Sequence, residues 1–290
     1  MGQVNRYFFY PLTFEPVIRI LYKKQAAKVK VADLVVDFTQ NRFVLPSKVN
    51  ALAFKSLELA WLQMADSHGF EPIILSPLTP LGTCSAVAEV NQNNVVSAGR
   101  GTEAVSDATN VLALKIAADF KKNKNPDIVK YATTHRHVRG QAFDNPAFTA
   151  HFGVFCAISG GFDRGSYDFE ISQLIAHLNV HYALLTSHFD RKNLSLKINI
   201  RQENPHFVAL FQRKLSENGY DFELIEDYGK GNYYRLVRFG IYLKHHQMDI
   251  NLSDGGLVDW TQKLIPNKKH RLFISGCGIE LVHKILDNQL

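Results

Sequence analysis

Histidines, tyrosines and cysteines are the residues of this chain whose types and spacing could do chemistry. His177 and His181 stand four apart, the spacing that puts two imidazoles on one helix face as metal-binding helices do. Helical register sets them beside Glu170 and Gln173, opposite the apolar stripe Ile171, Leu174, Ile175, Leu178, Tyr182 and Leu185, so the pattern predicts a solvated polar face. His135 and His137 alternate onto one face of a strand, but no third ligand follows them, and no metal site is expected. Tyr233-Tyr234 offers hydroxyls on apolar rings, which suits a small polar ligand. Cys84, Cys156 and Cys277 are too far apart for a CxxC zinc or redox site, and their odd number argues against a disulfide framework. The chain has no HExxH, P-loop or GxSxG, which sets aside three large enzyme classes.

The elements that must hold these residues are legible in part. Phe54, Leu57, Trp61 and Met64 recur at helical spacing, and Leu52, Leu59 and Leu62 add a second apolar face. A helix covered on two sides is expected there, ended by Gly69. Phe70–Leu75 reads as a strand. Val95–Ala98 reads as another, followed by a turn at Gly99-Arg100-Gly101 and by Thr102, which has the residue type of an N-cap for the helix carrying Val105, Ala108, Leu112, Ile116 and Phe120. Residues 128–143 and 151–158 read as strands joined by Asp144-Asn145-Pro146, with Ser159-Gly160-Gly161 ending the second. A helix follows from about Tyr167, and a strand over Leu194–Ile200. Asn204-Pro205 opens a helix that Gly219 closes. Two strands fall within 233–252, and Arg271–Ser275 is a last strand before a terminal helix. Short strands are expected in residues 1–45. Strand runs flanked by separate helices argue an α+β fold, an antiparallel sheet flanked by helices.

The 290 residues are 46% hydrophobic and 21% charged, an ordinary globular composition with material for one large domain or two small ones. The formal charge of +6 is spread rather than clustered; the densest basic patch, Lys121-Lys122-Asn123-Lys124, reads as a solvated loop rather than a nucleic-acid footprint. No apolar run reaches the ~20 residues of a membrane helix. The opening MGQVNRYFFYPL lacks the pattern of a secretory signal, and Arg6 stands where a myristoylation signal needs Ser or Thr. A cytoplasmic protein without membrane contact is expected.

Six segments in order resemble the catalytic core of class II aminoacyl-tRNA synthetases, nearest the histidyl-tRNA synthetase branch, which includes the regulatory subunit of ATP phosphoribosyltransferase. ALAFKSLELAWLQMADSHGFEPIILSPL is similar to motif 1. SAGRGTEAV stands where the branch has its Arg-Pro-Glu-Gly-Thr turn. THRHVRGQAFDNPAFTAHFGVFCAISGG resembles motif 2 and is followed by Tyr167-Asp168-Phe169-Glu170-Ile171, similar to the branch's Asp-x-Glu-Ile. GNYYRLVRF resembles its Tyr-Tyr signature, DGGLVDWTQKL its Gly-Gly-Arg-Tyr-Asp segment, and LFISGCGIELVHKIL motif 3. The resemblance divides the chain into an N-terminal extension, residues 1–45, and a synthetase-like core, residues 46–290.

The resemblance also implies what the residues would do. Activation of an amino acid by ATP builds charge on the α-phosphate, and the family meets it with an arginine in motif 2 and another, on the γ-phosphate, in motif 3. The first survives as Arg139 if Val138-Arg139-Gly140-Gln141 matches Phe-Arg-x-Glu, a register that brings His151 along; in the other register Asp144 takes the place. The motif 3 arginine is replaced by His283 or Leu281. The amino-acid pocket departs from the histidyl pattern at Gly255-Gly256-Leu257-Val258-Asp259. Candidate ligand-binding residues are Arg100, Thr102, Glu103, Arg139, His151, Tyr233, Tyr234, Asp254, Gly255, Gly256, Asp259 and Glu280, with Asp107 a further candidate by position. A missing phosphate clamp and no room for an anticodon-binding module make tRNA charging unexpected. The expectation is a paralogue that binds an amino acid or nucleotide as a regulatory or accessory subunit, with a protein partner, and forms a homodimer through residues 47–69. The alternative is an ATP- and magnesium-dependent amino-acid ligase with Arg139 as its catalytic cation.

Overall fold

The computed structural model describes residues 14–123, 127–141, 149–228, 233–246 and 248–289. The described residues open with three helices, α1 (Phe14–Ala26), α2 (Leu34–Gln40) and α3 (Ala51–Ser67). After β1 (Glu71–Pro72) come β2 (Leu78–Pro80), α4 (Thr83–Ala88), β3 (Ser97–Ala98), β4 (Thr102–Ala104) and α5 (Ala108–Lys122). The body follows as β5 (Val129–Val138), β6 (His151–Phe162), α6 (Asp168–Thr186), β7 (Leu194–Ile200), α7 (Pro205–Glu217) and β8 (Glu223–Glu226). It closes with β9 (Arg235–His245), β10 (Met248–Val258), α8 (Trp260–Leu264), β11 (His270–Cys277) and α9 (Ile279–Leu286).

The main sheet has the strand order β1-β5-β6-β11-β10-β9-β7-β8, and β2, β4 and β3 form a smaller one. From β5 to β7 every pairing is antiparallel, as expected. The expectation gives way at both edges, where β1 joins β5 and β8 joins β7 in parallel. At the β8 edge the reason is a crossover: α7 returns the chain, so β8 runs in the direction of β7. Asn204 accepts the Phe207 N–H at 3.0 Å and Pro205 sits at the first helical position, which is why α7 starts there.

Three sequence expectations change in the folded chain. In residues 14–45 helices replace the expected strands, because Val17, Ile20 and Leu21 alternate with Arg19, Lys23 and Lys24 at helical rather than strand spacing; residues 1–13 lie outside the described residues. Thr102 lies in β4, and Asp107 instead caps α5, accepting the Thr109 N–H at 2.9 Å. Ser159-Gly160-Gly161 does not end β6, which runs on to Phe162. A side chain on Gly160 would lie 2.6 Å from Ile116, and one on Gly161 2.8 Å from Phe169. These glycines let helices seat directly on the strand.

α3 buries Phe54, Leu57, Trp61 and Ala65 against the body of the fold, and the Trp61 indole donates to His188 Nε2 at 3.2 Å. Its second apolar face is open in the single chain: Leu52 is 82% exposed and Leu59 58%.

α6 overturns a further expectation. His177 and His181 are both 0% exposed; α6 is covered on the side that the polar residues occupy. Counting protons orients the whole contact chain. Ser253 donates to Gly276 O at 2.9 Å, so it accepts from His181 Nδ1, also at 2.9 Å. A neutral His181 then accepts at Nε2 from Ser275, at 2.7 Å. Ser275, its proton used, accepts from His177 Nδ1 at 2.6 Å, and His177 Nε2 accepts from Ser159 at 2.8 Å. Two neutral imidazoles and three serines thus close a line of hydrogen bonds with no atom left over. It pins α6 to β6, β10 and β11.

Candidate functional site

A cavity of about 650 Å³ opens between the end of β5, the start of α5 and strands β9 and β10. A deeper lobe of about 220 Å³ shares Asp107, Arg139, Tyr233, Tyr234 and Asp254 with it and runs down to His137, Cys156 and Leu281. Arg139 follows Val138, the last residue of β5, and its N–H still donates to Ala150 O at 2.8 Å while its side chain lines the cavity. Its Nε donates to Ser106 O at 3.1 Å and its guanidinium lies 5.2 Å from the Phe152 ring centroid. Both terminal nitrogens remain without a carboxylate partner among the described residues, which leaves the fork for a ligand.

Opposite Arg139 stand two ion pairs. Arg238 Nη2 donates to Asp254 Oδ2 at 3.1 Å, and Arg201 pairs with Asp227. Tyr233 and Tyr234 meet edge-to-face at 4.8 Å, and Trp260 backs Tyr233 at 5.3 Å. The Tyr233 hydroxyl lies 3.4 Å from Asp107 Oδ2. Burial holds both phenols well above their usual range, so they act as neutral donors. Burial also holds the Asp254 carboxyl above the usual carboxylate range, against the opposing pull of Arg238. Its side chain still keeps 38% of its surface open, as a group on a cavity wall does.

The fold brings Arg139, Tyr233, Tyr234, Asp254 and Asp107 together and sends the other expected residues elsewhere. Arg100 is exposed on a turn with φ 65°, its N–H donating to Glu15. Thr102 donates to Gly99 O within that turn. Glu103 is 0% exposed and fully committed, accepting from Gly82 N, Cys84 N and Gln92 Nε2. His151 binds Arg136 and Leu45 O outside the cavity. Gly255 and Gly256 are packing residues: an added Cβ would come within 2.5 Å of Ile274 O and Val237 O respectively. Asp259 is held by Arg235 and Lys263. Glu280 is enclosed by the Gly153 N–H, Arg136, Lys284 and Ser47. Burial alone would raise its carboxyl, but these donors outweigh it and hold it below the usual range. The alternative motif 2 residue, Asp144, lies outside the described residues.

At the motif 3 position, Leu281 faces the deep lobe, while His283 turns into the core, 5.6 Å from the Phe54 ring. α9 presents no cation to the cavity among the described residues. Arg201, Asp227 and Arg238 were not singled out from the sequence. Arg238 had a readable signal, lying within GNYYRLVRF on a strand; Arg201 and Asp227 join the cavity only through the β7–β8 pairing.

No family model and no curated protein sequence matches the chain. Solved structures do. The Staphylococcus aureus histidyl-tRNA synthetase superposes with a TM-score of 0.64 at 12% identity, over 84% of this chain and 70% of that one. The ATP phosphoribosyltransferase regulatory subunit/histidyl-tRNA synthetase from Bacillus halodurans C gives 0.65 at 12% identity, over 85% and 82%. The chain has a class II aminoacyl-tRNA synthetase core fold. A histidine–tRNA ligase subunit from Alicyclobacillus acidocaldarius agrees, with a TM-score of 0.62 at 11% identity over 84% and 96%. On this class II core the cavity lies on the sheet face bounded by the motif 2-like strands and the Tyr-Tyr segment. No helix among the described residues is long and apolar enough to cross a membrane.

Proposed function

We propose that this chain is a synthetase-like protein that binds a small zwitterionic ligand of the amino-acid type and acts as a regulatory or accessory subunit without charging tRNA. One observation carries the reading: Arg139 offers an uncommitted guanidinium fork while α9 offers Leu281 where a phosphate clamp would be needed. A carboxylate can be held by Arg139, and an ammonium can be met by Asp107 or Asp254 beside the two tyrosines. The wall opposite Arg139 favours a zwitterion over the triphosphate of ATP, because Arg201 and Arg238 are already paired with Asp227 and Asp254. The regulatory-subunit neighbour supports the accessory role by fold likeness alone. The open leucines of α3, Leu52 and Leu59, support a homodimer through residues 47–69.

Amino-acid-dependent exchange of pyrophosphate into ATP is the test. No exchange is expected with any of the twenty amino acids; exchange with one would establish the ligase alternative, with Arg139 as its catalytic cation.

A further inference from the structure

At the floor of the deep lobe three potential metal ligands converge from three separate elements. Asp107 comes from the start of α5, His137 from β5 and Cys156 from β6; one donor atom of each lies within 4.8 Å of the others. Cys156 Sγ is 3.8 Å from His137 Nε2. Tetrahedral zinc, with bonds of about 2.0–2.3 Å to oxygen, nitrogen and sulfur, sets its ligands roughly 3.3–3.8 Å apart. A closing movement of about 1 Å would therefore complete the geometry. His137 and Cys156 are each 1% exposed and lie on the paired strands β5 and β6.

We propose that Asp107, His137 and Cys156 form a binding site for one divalent transition-metal ion, zinc or a metal of similar preference, with its fourth position open to the cavity. The donor set points to the metal class. A thiolate with an imidazole suits zinc or cobalt and disfavours magnesium and calcium, which seek oxygen. Three protein ligands with an open position fit a centre that meets a ligand rather than a closed structural one. The 220 Å³ lobe, lined by these same three residues, supplies that open side.

The donor ledger at the site supports this. Asp107 Oδ1 is spent on the Thr109 N–H and hydroxyl, but Oδ2 has only the long 3.4 Å contact from Tyr233. Cys156 Sγ has no protein partner other than His137 among the described residues. His137 Nε2, the ring nitrogen that faces Cys156, accepts the Ala108 N–H at 3.0 Å, and its Nδ1 is buried with no partner among the described residues. A histidine serving only to cap α5 would explain the Ala108 contact, but not the thiol and the carboxylate oxygen gathered beside the same nitrogen. Ligation through Nε2 takes the lone pair that now accepts the Ala108 N–H, so that contact gives way to the metal while Nδ1 keeps its proton. The inference goes beyond the zwitterion reading and does not depend on it.

The full chain, freed of metal by chelation, is titrated with Co²⁺ alone and followed by absorption. The expected result is one equivalent bound, with a thiolate-to-cobalt charge-transfer band and the intense visible bands of tetrahedral cobalt, all removed by added Zn²⁺. Cys156→Ser should abolish the charge-transfer band, and Cys84→Ser should retain it. Asp107→Asn keeps a side chain able to cap α5 and should weaken Zn²⁺ binding about a hundredfold by calorimetry; it gives a second readout if Cys156→Ser does not fold. Absence of the band at one equivalent, its survival in Cys156→Ser, or unchanged zinc affinity in Asp107→Asn overturns the proposal and leaves His137 as a helix cap.

Discussion

Two polar regions meet on β10, at the neighbours Ser253 and Asp254, and they are built on opposite rules. Beneath α6, the Ser159–His177–Ser275–His181–Ser253 line satisfies every donor and acceptor it contains. In the cavity, among the described residues, Arg139 keeps most of its donors uncommitted, Arg238 Nε has no partner, and two tyrosines and Asp254 line an open wall. The first arrangement can only hold elements together. The second carries polar capacity that nothing in the described chain uses. Completeness of hydrogen bonding, more than residue type, distinguishes these two regions.

Cutting the closed line should have the largest effect. Ser275→Ala leaves His177 Nδ1–H and His181 Nε2 buried without partners, at about 1–3 kcal/mol each. Urea denaturation should show a loss of about 2–5 kcal/mol; a loss under about 0.5 kcal/mol would mean the line is not formed. Acid should press on the same place. Burial lowers His181 to about 3 and His177 well below its ordinary 6.5. Both are neutral when folded and charge on unfolding, so their contribution is intact above about pH 6.5 and is lost as pH falls toward 3. Each adds a slope approaching ~1.4 kcal/mol per pH unit inside that window. His181→Asn should flatten the acid side of the stability profile, and an unchanged slope would contradict the assignment.

Gly255→Ala sharpens the boundary of the cavity. If Gly255 is a packing residue, the added methyl meets Ile274 O and the variant loses roughly 1–3 kcal/mol of stability. A ligand-contact role would instead leave stability intact and change affinity. Arg139→Ala should have the smallest effect on folding, within about 0.5 kcal/mol, because the side chain is partly open and gives up a single hydrogen bond.

The sequence carried the elements whose periodicity is set by a single buried face. Leu194–Ile200 alternates in and out as a strand should, and α3 and α7 show their stripes. The periodicity of α6 reads as a helix, but the polar face it suggests is buried. Its histidines look like a polar face until Ser159, Ser253 and Ser275 arrive from three strands, and nothing local announces those partners. Residues 14–45 misled for the opposite reason: their β-branched side chains favour strands, yet the helices there expose Val31 and Val35 instead of pairing. In the candidate site, family resemblance found Arg139, Tyr233, Tyr234 and Asp254 because they lie inside quoted motifs. It also offered Glu103, Glu280 and Gly255, whose neighbours use them completely. Arg201 and Asp227 reach the cavity through a parallel edge pairing that the sequence did not foretell.

Zwitterion binding in the cavity around Arg139 underlies the proposed function. It is tested most directly by thermal unfolding of wild type and Arg139→Ala in the presence of each of the twenty amino acids. Saturating ligand at about a hundred times its Kd should stabilise the wild type by roughly 2.7 kcal/mol. The account predicts that at least one amino acid raises the wild-type Tm and leaves that of Arg139→Ala unchanged. Equal stabilisation of both proteins, or none of either, would contradict it.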